Sequence, residues 1–195
     1  MRDRALKINF AEIPTPCYVV VEELLINNLN ILKSVQERTG CKILLALKGF
    51  AMHALFPLIG QYLQGIAASS LFEARLGYEK MGKEVHVYSP AYIEEDFAEL
   101  MKYCDHMVFN SFAQWRKYKD RIKSYPGKIK CGIRVNPEYS EIKTPLYNPC
   151  YQYSRLGVTR ANFRSDELEG ITGLHFHTMC EQNADTLERT LKVVE

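Results

Sequence analysis

The sequence predicts an α/β chain, a (β/α) TIM-type barrel that is incomplete, with about six of its eight βα units. Three observations carry this. Short apolar runs alternate with segments of helical spacing along nearly the whole chain. Such alternation implies a parallel sheet with helical crossovers. No G-x-G-x-x-G follows any of the predicted strands, so a dinucleotide-binding fold loses its main support. Polar residues collect where the predicted strands end, which is where barrels of this kind carry their chemistry.

The elements follow in order. Pro14-Thr15-Pro16 opens the ordered part, and the β-branched run 17–21 is expected as a leading strand. Glu22 and Glu23 suit a helix N-terminus. Val21, Leu25, Leu29, Leu32 and Val35 recur at helical spacing, and Gly40 ends that helix. The apolar run 43–47 predicts a strand buried on both faces, with Lys48 at its end and Gly49 at the turn. Helix 53–63 leads to strand 65–69, helix 71–81 to strand 85–88, helix 94–103 to strand 106–109, and helix 111–122 to strand 130–135. A long loop, 136–160, and a short helix near 165–168 precede strand 171–177. Leu187, Leu191 and Val194 lie on one side of a last helix, 184–195, which runs out without a cap. That ending is expected of an interrupted protein rather than a finished one. The chain divides into a leading strand and helix, 1–40, and a partial barrel, 41–195.

The bulk composition is ordinary for a globular protein. Of 195 residues, 47% are hydrophobic and 25% charged, so a core can be buried. A net charge of +2 gives no support for a nucleic-acid partner. No apolar run approaches the roughly 20 residues of a membrane helix. The six cysteines are widely spaced and form no C-x-x-C pair. Without an export signal, reduced thiols and a cytoplasmic location are expected.

Each polar residue at a strand end has a structural reading beside a chemical one. Lys48, behind an apolar strand, could be desolvated and act as an amine nucleophile that forms a Schiff base, or it could simply reach into water. Ser70 could cap the helix that follows, with Glu73 completing a capping box. Ser111 could cap the next helix but one. Arg134 could pair with a carboxylate at the rim. His175 and His177, two apart in a strand, would point the same way. With Cys180 they could hold a metal, although none of His53, His86 and His106 ends a predicted strand to complete such a site. The other reading stacks an imidazole against a flat cofactor, opposite a lysine that binds it, as pyridoxal phosphate requires.

Five stretches resemble a known family. Ala46-Leu47-Lys48-Gly49-Phe50 resembles the pyridoxal-phosphate lysine motif of the alanine racemase-like, fold type III decarboxylases. The stretch from Gly65 to Glu73 resembles their second-strand motif. Ile133-Arg134-Val135-Asn136-Pro137 and Ser154-Arg155-Leu156-Gly157-Val158 resemble their R-x-N-P and S-[KR]-[FL]-G pair. Leu174-His175-Phe176-His177-Thr178-Met179-Cys180-Glu181 is similar to the form found in the carboxynorspermidine/carboxyspermidine decarboxylase branch.

The resemblance implies that Lys48 binds pyridoxal 5'-phosphate covalently and that His177 stacks on its ring. Glu73 and Arg155 would be supporting charges, with Ser70 at the cofactor and Arg134, Cys180 and Glu181 on the substrate side. The implied reaction is loss of CO2 from a small-molecule polyamine precursor, carboxynorspermidine or carboxyspermidine, in polyamine biosynthesis. Norspermidine and spermidine stay equally open as product. The family also implies a homodimer, two further βα units with phosphate-holding loops, and a C-terminal β domain, which is absent. This chain alone would then be weakly active or inactive unless a separate chain supplied the C-terminal half. Three other readings stay open: a diaminopimelate-type decarboxylase, a non-catalytic fragment that binds pyridoxal phosphate, and a metal-dependent hydrolase using His175 and His177.

Overall fold

The structure is a computed structural model that describes residues 9–195. Helix α1 (Glu22–Thr39) precedes strand β1 (Leu44–Ala46). The chain then runs α2 (Phe56–Ile59), β2 (Gly65–Ala68), α3 (Leu71–Met81), β3 (Glu84–Tyr88), α4 (Glu94–Leu100), β4 (His106–Phe109), α5 (Phe112–Lys123), β5 (Lys130–Arg134), β6 (Ile171–His175) and α6 (Ala184–Val194). The six strands form one sheet in the order β1-β2-β3-β4-β5-β6, and each pair is parallel. This is the predicted open segment of a (β/α) barrel.

Two α-helices start as their sequences dictate. The Ser70 hydroxyl accepts from the Glu73 N–H at 3.3 Å, and the Glu73 carboxylate accepts from the Ser69 N–H at 2.6 Å. The Ser111 hydroxyl accepts from the Gln114 N–H at 3.1 Å, and the Gln114 side chain accepts from the Asn110 N–H at 2.7 Å. Both are variants of the capping box, the N3 side chain reaching the N–H of the residue just before the cap.

Alternation along the strands sorts side chains between two faces. On the helix-covered face Val85, Val87, Met107, Phe109 and Ile133 are essentially fully buried. Phe112, Trp115, Tyr118 and Ile122 of α5 supply the matching stripe. Tyr118 stacks on Phe97 of α4 at 3.9 Å, and Tyr92 meets Phe97, Phe109 and Tyr118 edge-on. The Tyr92 hydroxyl donates to the Val108 carbonyl at 2.7 Å, so this aromatic cluster is both packed and satisfied.

The opposite face is open and polar. Glu84, His86 and Tyr88 point to it from β3, and His106 from β4. Ala46, Lys130 and Gly173 are exposed on it.

Several expectations are corrected. Residues 17–21 form no strand among the described residues, and Tyr18 is 94% exposed. β1 is an edge strand, half-buried at Leu44 and Leu45 rather than covered on both faces, and only Leu47 beyond it is buried. Helix 53–63 is a 3-10 turn, His53–Leu55, followed by the single turn of α2, whose start carries Pro57. The turn near 165 is also 3-10, Ser165–Glu167. The last strand stops at His175, two residues before His177. All six cysteines are free thiols. No helix of the described residues is long and apolar enough to cross a membrane.

Gly65 shows how closely neighbouring strands approach. A Cβ there would lie 2.0 Å from the backbone oxygen of Glu84. A main-chain carbonyl in a ladder cannot swing aside as a side chain can. Gly65→Ala is therefore expected to destabilise the chain by about 1–3 kcal/mol in urea unfolding. Gly173→Ala, with nothing within 4 Å of its added methyl, stays within about 0.5 kcal/mol of the parent. Equal losses at the two positions would contradict this account of the sheet.

Candidate active site

β1 gives way to a tight turn in which the Gly49 and Phe50 N–H groups both donate to the Ala46 carbonyl, at 3.0 and 3.1 Å. Leu47 is buried beneath it and still donates to the Ala67 carbonyl at 3.1 Å. The turn therefore throws Lys48 upward onto the rim. Lys48 is exposed there, so the six strands do not supply the desolvation expected of it.

Lys48 lines a cavity of about 390 Å³ together with Arg134, His177 and Cys180. Ser69 and Tyr88 complete its floor, and Ile142, Tyr147, Pro149 and Leu156 of the long loop after β5 form a wall. No carboxylate lines it among the described residues. The volume falls in the roughly 300–1,000 Å³ range of small-molecule sites.

Arg134 ends β5 and is 5% exposed. Its register partner is His175, the last residue of β6. The guanidinium sits over the Tyr88 ring at 4.8 Å, and that ring stacks on His175 at 5.1 Å. Arg134 donates weakly to the His177 carbonyl at 3.4 Å, while its buried Nε has no partner. His175 Nδ1 and the Thr178 hydroxyl are likewise buried and unpartnered. The Gln182 side-chain oxygen is a fourth such group among the described residues, and of the four residues Arg134 is the one that lines the cavity.

Burial holds the His175 imidazole down to about 4, helped by Arg134, His177 and Lys48. His177 is lowered by burial first and then by Lys48 and Arg134. Two cations already face the site, and a third is disfavoured. Burial raises the Tyr88 phenol, against the pull of Arg134.

The other predicted residues lie apart from this cavity. Ser70 and Glu73 form the cap of α3, just outside Ser69. Arg155 is exposed, next in sequence to the wall residue Leu156 but not itself lining the cavity, and its carbonyl accepts from the Asn110 carboxamide at 2.8 Å. Glu181 is exposed one residue after Cys180 and holds a φ of 56°, which side-chain-bearing residues adopt at a cost. The structure thus brings Lys48, Arg134, His177 and Cys180 together and leaves Ser70, Glu73, Arg155 and Glu181 around them. His175, His177 and Cys180 do not converge as ligands. The metal-competent group among the described residues is Glu84, His86 and His106, lower on the open face.

Tyr88, the last residue of β3, is not among the strand-end residues singled out from the sequence. The alternation of β3 identifies it: Glu84, His86 and Tyr88 share the open face, so Ser89 points away from it.

Similar proteins share this architecture. No protein-family profile matches the chain. A carboxynorspermidine/carboxyspermidine decarboxylase from Campylobacter jejuni is 44% identical over 184 residues, 94% of this chain and 47% of the relative. A carboxyaminopropylagmatine decarboxylase from Synechocystis is also 44% identical, over 95% of this chain and 47% of its own length. The crystal structure of the Campylobacter jejuni carboxynorspermidine decarboxylase complexed with norspermidine superposes with a TM-score of 0.83 at 41% identity, covering 93% of this chain and 46% of that one. Diaminopimelate decarboxylase from Helicobacter pylori, complexed with L-lysine, shares the fold with a TM-score of 0.67 at 16% identity. The chain spans about half the length of the curated relatives it matches.

The fold is an open six-stranded part of a TIM-type α/β barrel, the fold of the decarboxylases on which it superposes. By sequence the chain is similar to the carboxynorspermidine/carboxyspermidine decarboxylases over about half of their length.

The depressed histidines give a pH dependence with a definite sign. Below the usual 6.5 the unfolded chain takes up protons that folded His175, at about 4, refuses. The stability present above 6.5 is therefore lost as pH falls toward 4. Urea unfolding is expected to show a loss on the order of 1–2 kcal/mol between pH 7 and pH 5. His175→Asn flattens that slope, whereas a variant with the parent's slope would assign it to other groups.

Proposed function

We propose that this chain carries the cofactor-binding rim of a pyridoxal-phosphate-dependent decarboxylase acting on a carboxylated polyamine precursor in polyamine biosynthesis. The observation that carries the reading is the meeting of Lys48, His177 and the under-satisfied Arg134 on one cavity free of lining carboxylates. That donor set fits pyridoxal phosphate: an amine to bind it covalently, an imidazole face for its ring, and positive charge for an anionic ligand. When bound, the group supplies an electron sink for the electrons left as the carbon–carboxylate bond breaks and CO2 departs.

The chain's own residues do the rest. Lys48 holds the cofactor through Nζ. His177 offers a ring face kept neutral by burial and by the neighbouring cations, so no third charge competes with Lys48 and Arg134. Arg134 is fixed by Tyr88 on one side and the His177 carbonyl on the other, and it presents positive potential to the cavity. Cys180 borders the cavity where substrate would enter, and Glu181 beside it offers a carboxylate for an ammonium group of the substrate. Ser70 and Glu73 hold Ser69 and α3 at the rim through their cap, and Arg155 stands behind the wall as a supporting charge.

The substrate class comes from the relatives, whose names give carboxynorspermidine, carboxyspermidine and carboxyaminopropylagmatine. All three carry the carboxylate that leaves, and they differ away from it. A cytoplasmic homodimer completed by the remaining length of the relatives is the assembly this reading entails.

Adding pyridoxal phosphate is expected to give a visible absorbance band, with a borohydride-stabilised adduct mapping to Lys48 by mass spectrometry. Lys48→Ala should lose both. A band that persists in the variant, or an adduct on another lysine, would remove Lys48 from its central place. With the band in hand, CO2 release from the three substrates ranks them.

A further inference from the structure

We infer that Asn110 is the positioning residue of the Lys48 cavity, because its carboxamide ties the floor of the cavity to its wall. The inference deepens the reading above and rests on it only for the identity of the ligand.

Asn110 follows β4 and is half-buried at the rim. Its side-chain oxygen accepts from the Tyr88 hydroxyl at 2.8 Å and from the Gly157 N–H at 2.8 Å. Its side-chain nitrogen donates to the Arg155 carbonyl at 2.8 Å. A carboxamide has two donor and two acceptor positions, and three of the four are used here on two segments. Aspartate offers no donor for the Arg155 carbonyl, and alanine offers neither function.

Each tie bears on the cavity. Tyr88 is the ring held between the Arg134 guanidinium and His175. Gly157 is pressed onto β5: with φ at +86°, its Cβ would stand 2.9 Å from the Val135 carbonyl carbon and 3.0 Å from Arg134 Cγ. The next residue, Val158, is held independently, since its N–H donates to the Arg134 carbonyl and its carbonyl accepts from the Asn136 N–H, both at 2.8 Å. The arm before Gly157 carries the wall residues Tyr147, Pro149 and Leu156. Backbone pairing therefore anchors the arm at Val158, and Asn110 sets how the stretch leading to it lies over Lys48.

The neighbouring amides of Gly157 and Val158 provide the test, because one depends on Asn110 and the other does not. In amide-exchange NMR on the full chain, Asn110→Ala is expected to speed Gly157 exchange about tenfold relative to Val158. Pyridoxal-phosphate affinity, read from the absorbance band, should weaken by about the same factor while the borohydride adduct stays on Lys48. Asn110→Asp keeps the acceptor, so Gly157 stays protected, and its loss of affinity is smaller than that of Asn110→Ala. Equal acceleration of both amides would make Asn110 a residue of global stability and overturn the proposal. So would an unchanged Gly157, or a loosened Gly157 with unchanged affinity. A parent chain that takes up no pyridoxal phosphate would sink the proposed function, and the amide ratio would then decide the clamp by itself.

Discussion

Parallel, sequential pairing of the six strands is the constraint on which the rest depends. Because all six run one way, every C-terminal end reaches the same rim. Register then fixes which rim residues are neighbours. Arg134 lies opposite His175, and Tyr88 opposite Val108, two residues before Asn110. The cavity at Lys48 therefore needs no special loop to gather its residues. Its floor follows from pairing, and only its wall is made by the long loop after β5. The same alternation that points Val85, Val87, Met107 and Phe109 at the helices delivers the polar set to the other face.

That polar face is layered by charge. Low on it, Lys42 pairs with Glu84, Glu84 also binds His86 Nε2 at 3.1 Å, and the His86 and His106 rings stack at 3.9 Å. The hydrogen bond from Lys42, seconded by His86, holds Glu84 down to about 2. This layer satisfies itself. These are the same three residues that form the metal-competent group, and they hold one another by an ion pair and ring stacking. The upper layer is different. Arg134 is buried with no carboxylate paired to it among the described residues, compensated in part by the Tyr88 ring, and its Nε is left over there. A buried cation of this kind is expensive unless an anion arrives. The contrast between a closed lower layer and an open upper one is the physical reason to place ligand binding at the top.

The sequence made much of this legible. The cap at Ser70 with Glu73, and the plain N-cap at Ser111, were readable because a serine just before a helical stripe suits the N-cap position; the part played by Gln114 was not read. The six barrel strands were readable because β-branched runs and turn residues alternate without ambiguity. Residues 17–21 misled for the same reason: a β-branched run is a strand only where another strand pairs with it, and none does among the described residues. β1 misled because an apolar run implies burial on both faces only in a closed sheet, and here β1 is an edge. Tyr88 and the clamp at Asn110 were beyond a strand-end reading. Their roles arise from contacts spanning 22 to 47 residues of sequence, which no local pattern encodes.

Substrate choice can be argued from the same charges. A carboxylated polyamine is an anion at the end that reacts and a cation along the rest. The Lys48 cavity, with Lys48 and Arg134 and no lining carboxylate, suits the reacting end and repels the chain of ammonium groups. On the proposed function, the cationic part would leave the cavity toward carboxylates elsewhere, and the exposed Glu181, next in sequence to Cys180, would be one to meet it. Equal identity to relatives named for carboxynorspermidine/carboxyspermidine and for carboxyaminopropylagmatine fits this division. On the proposed function, the rim would recognise what those molecules have in common. What separates them, an amine or an agmatine-derived end far from the leaving carboxylate, would be read by surfaces beyond the Lys48 cavity. The relatives are about twice the length of this chain, which leaves ample protein to build such surfaces around the same cationic floor.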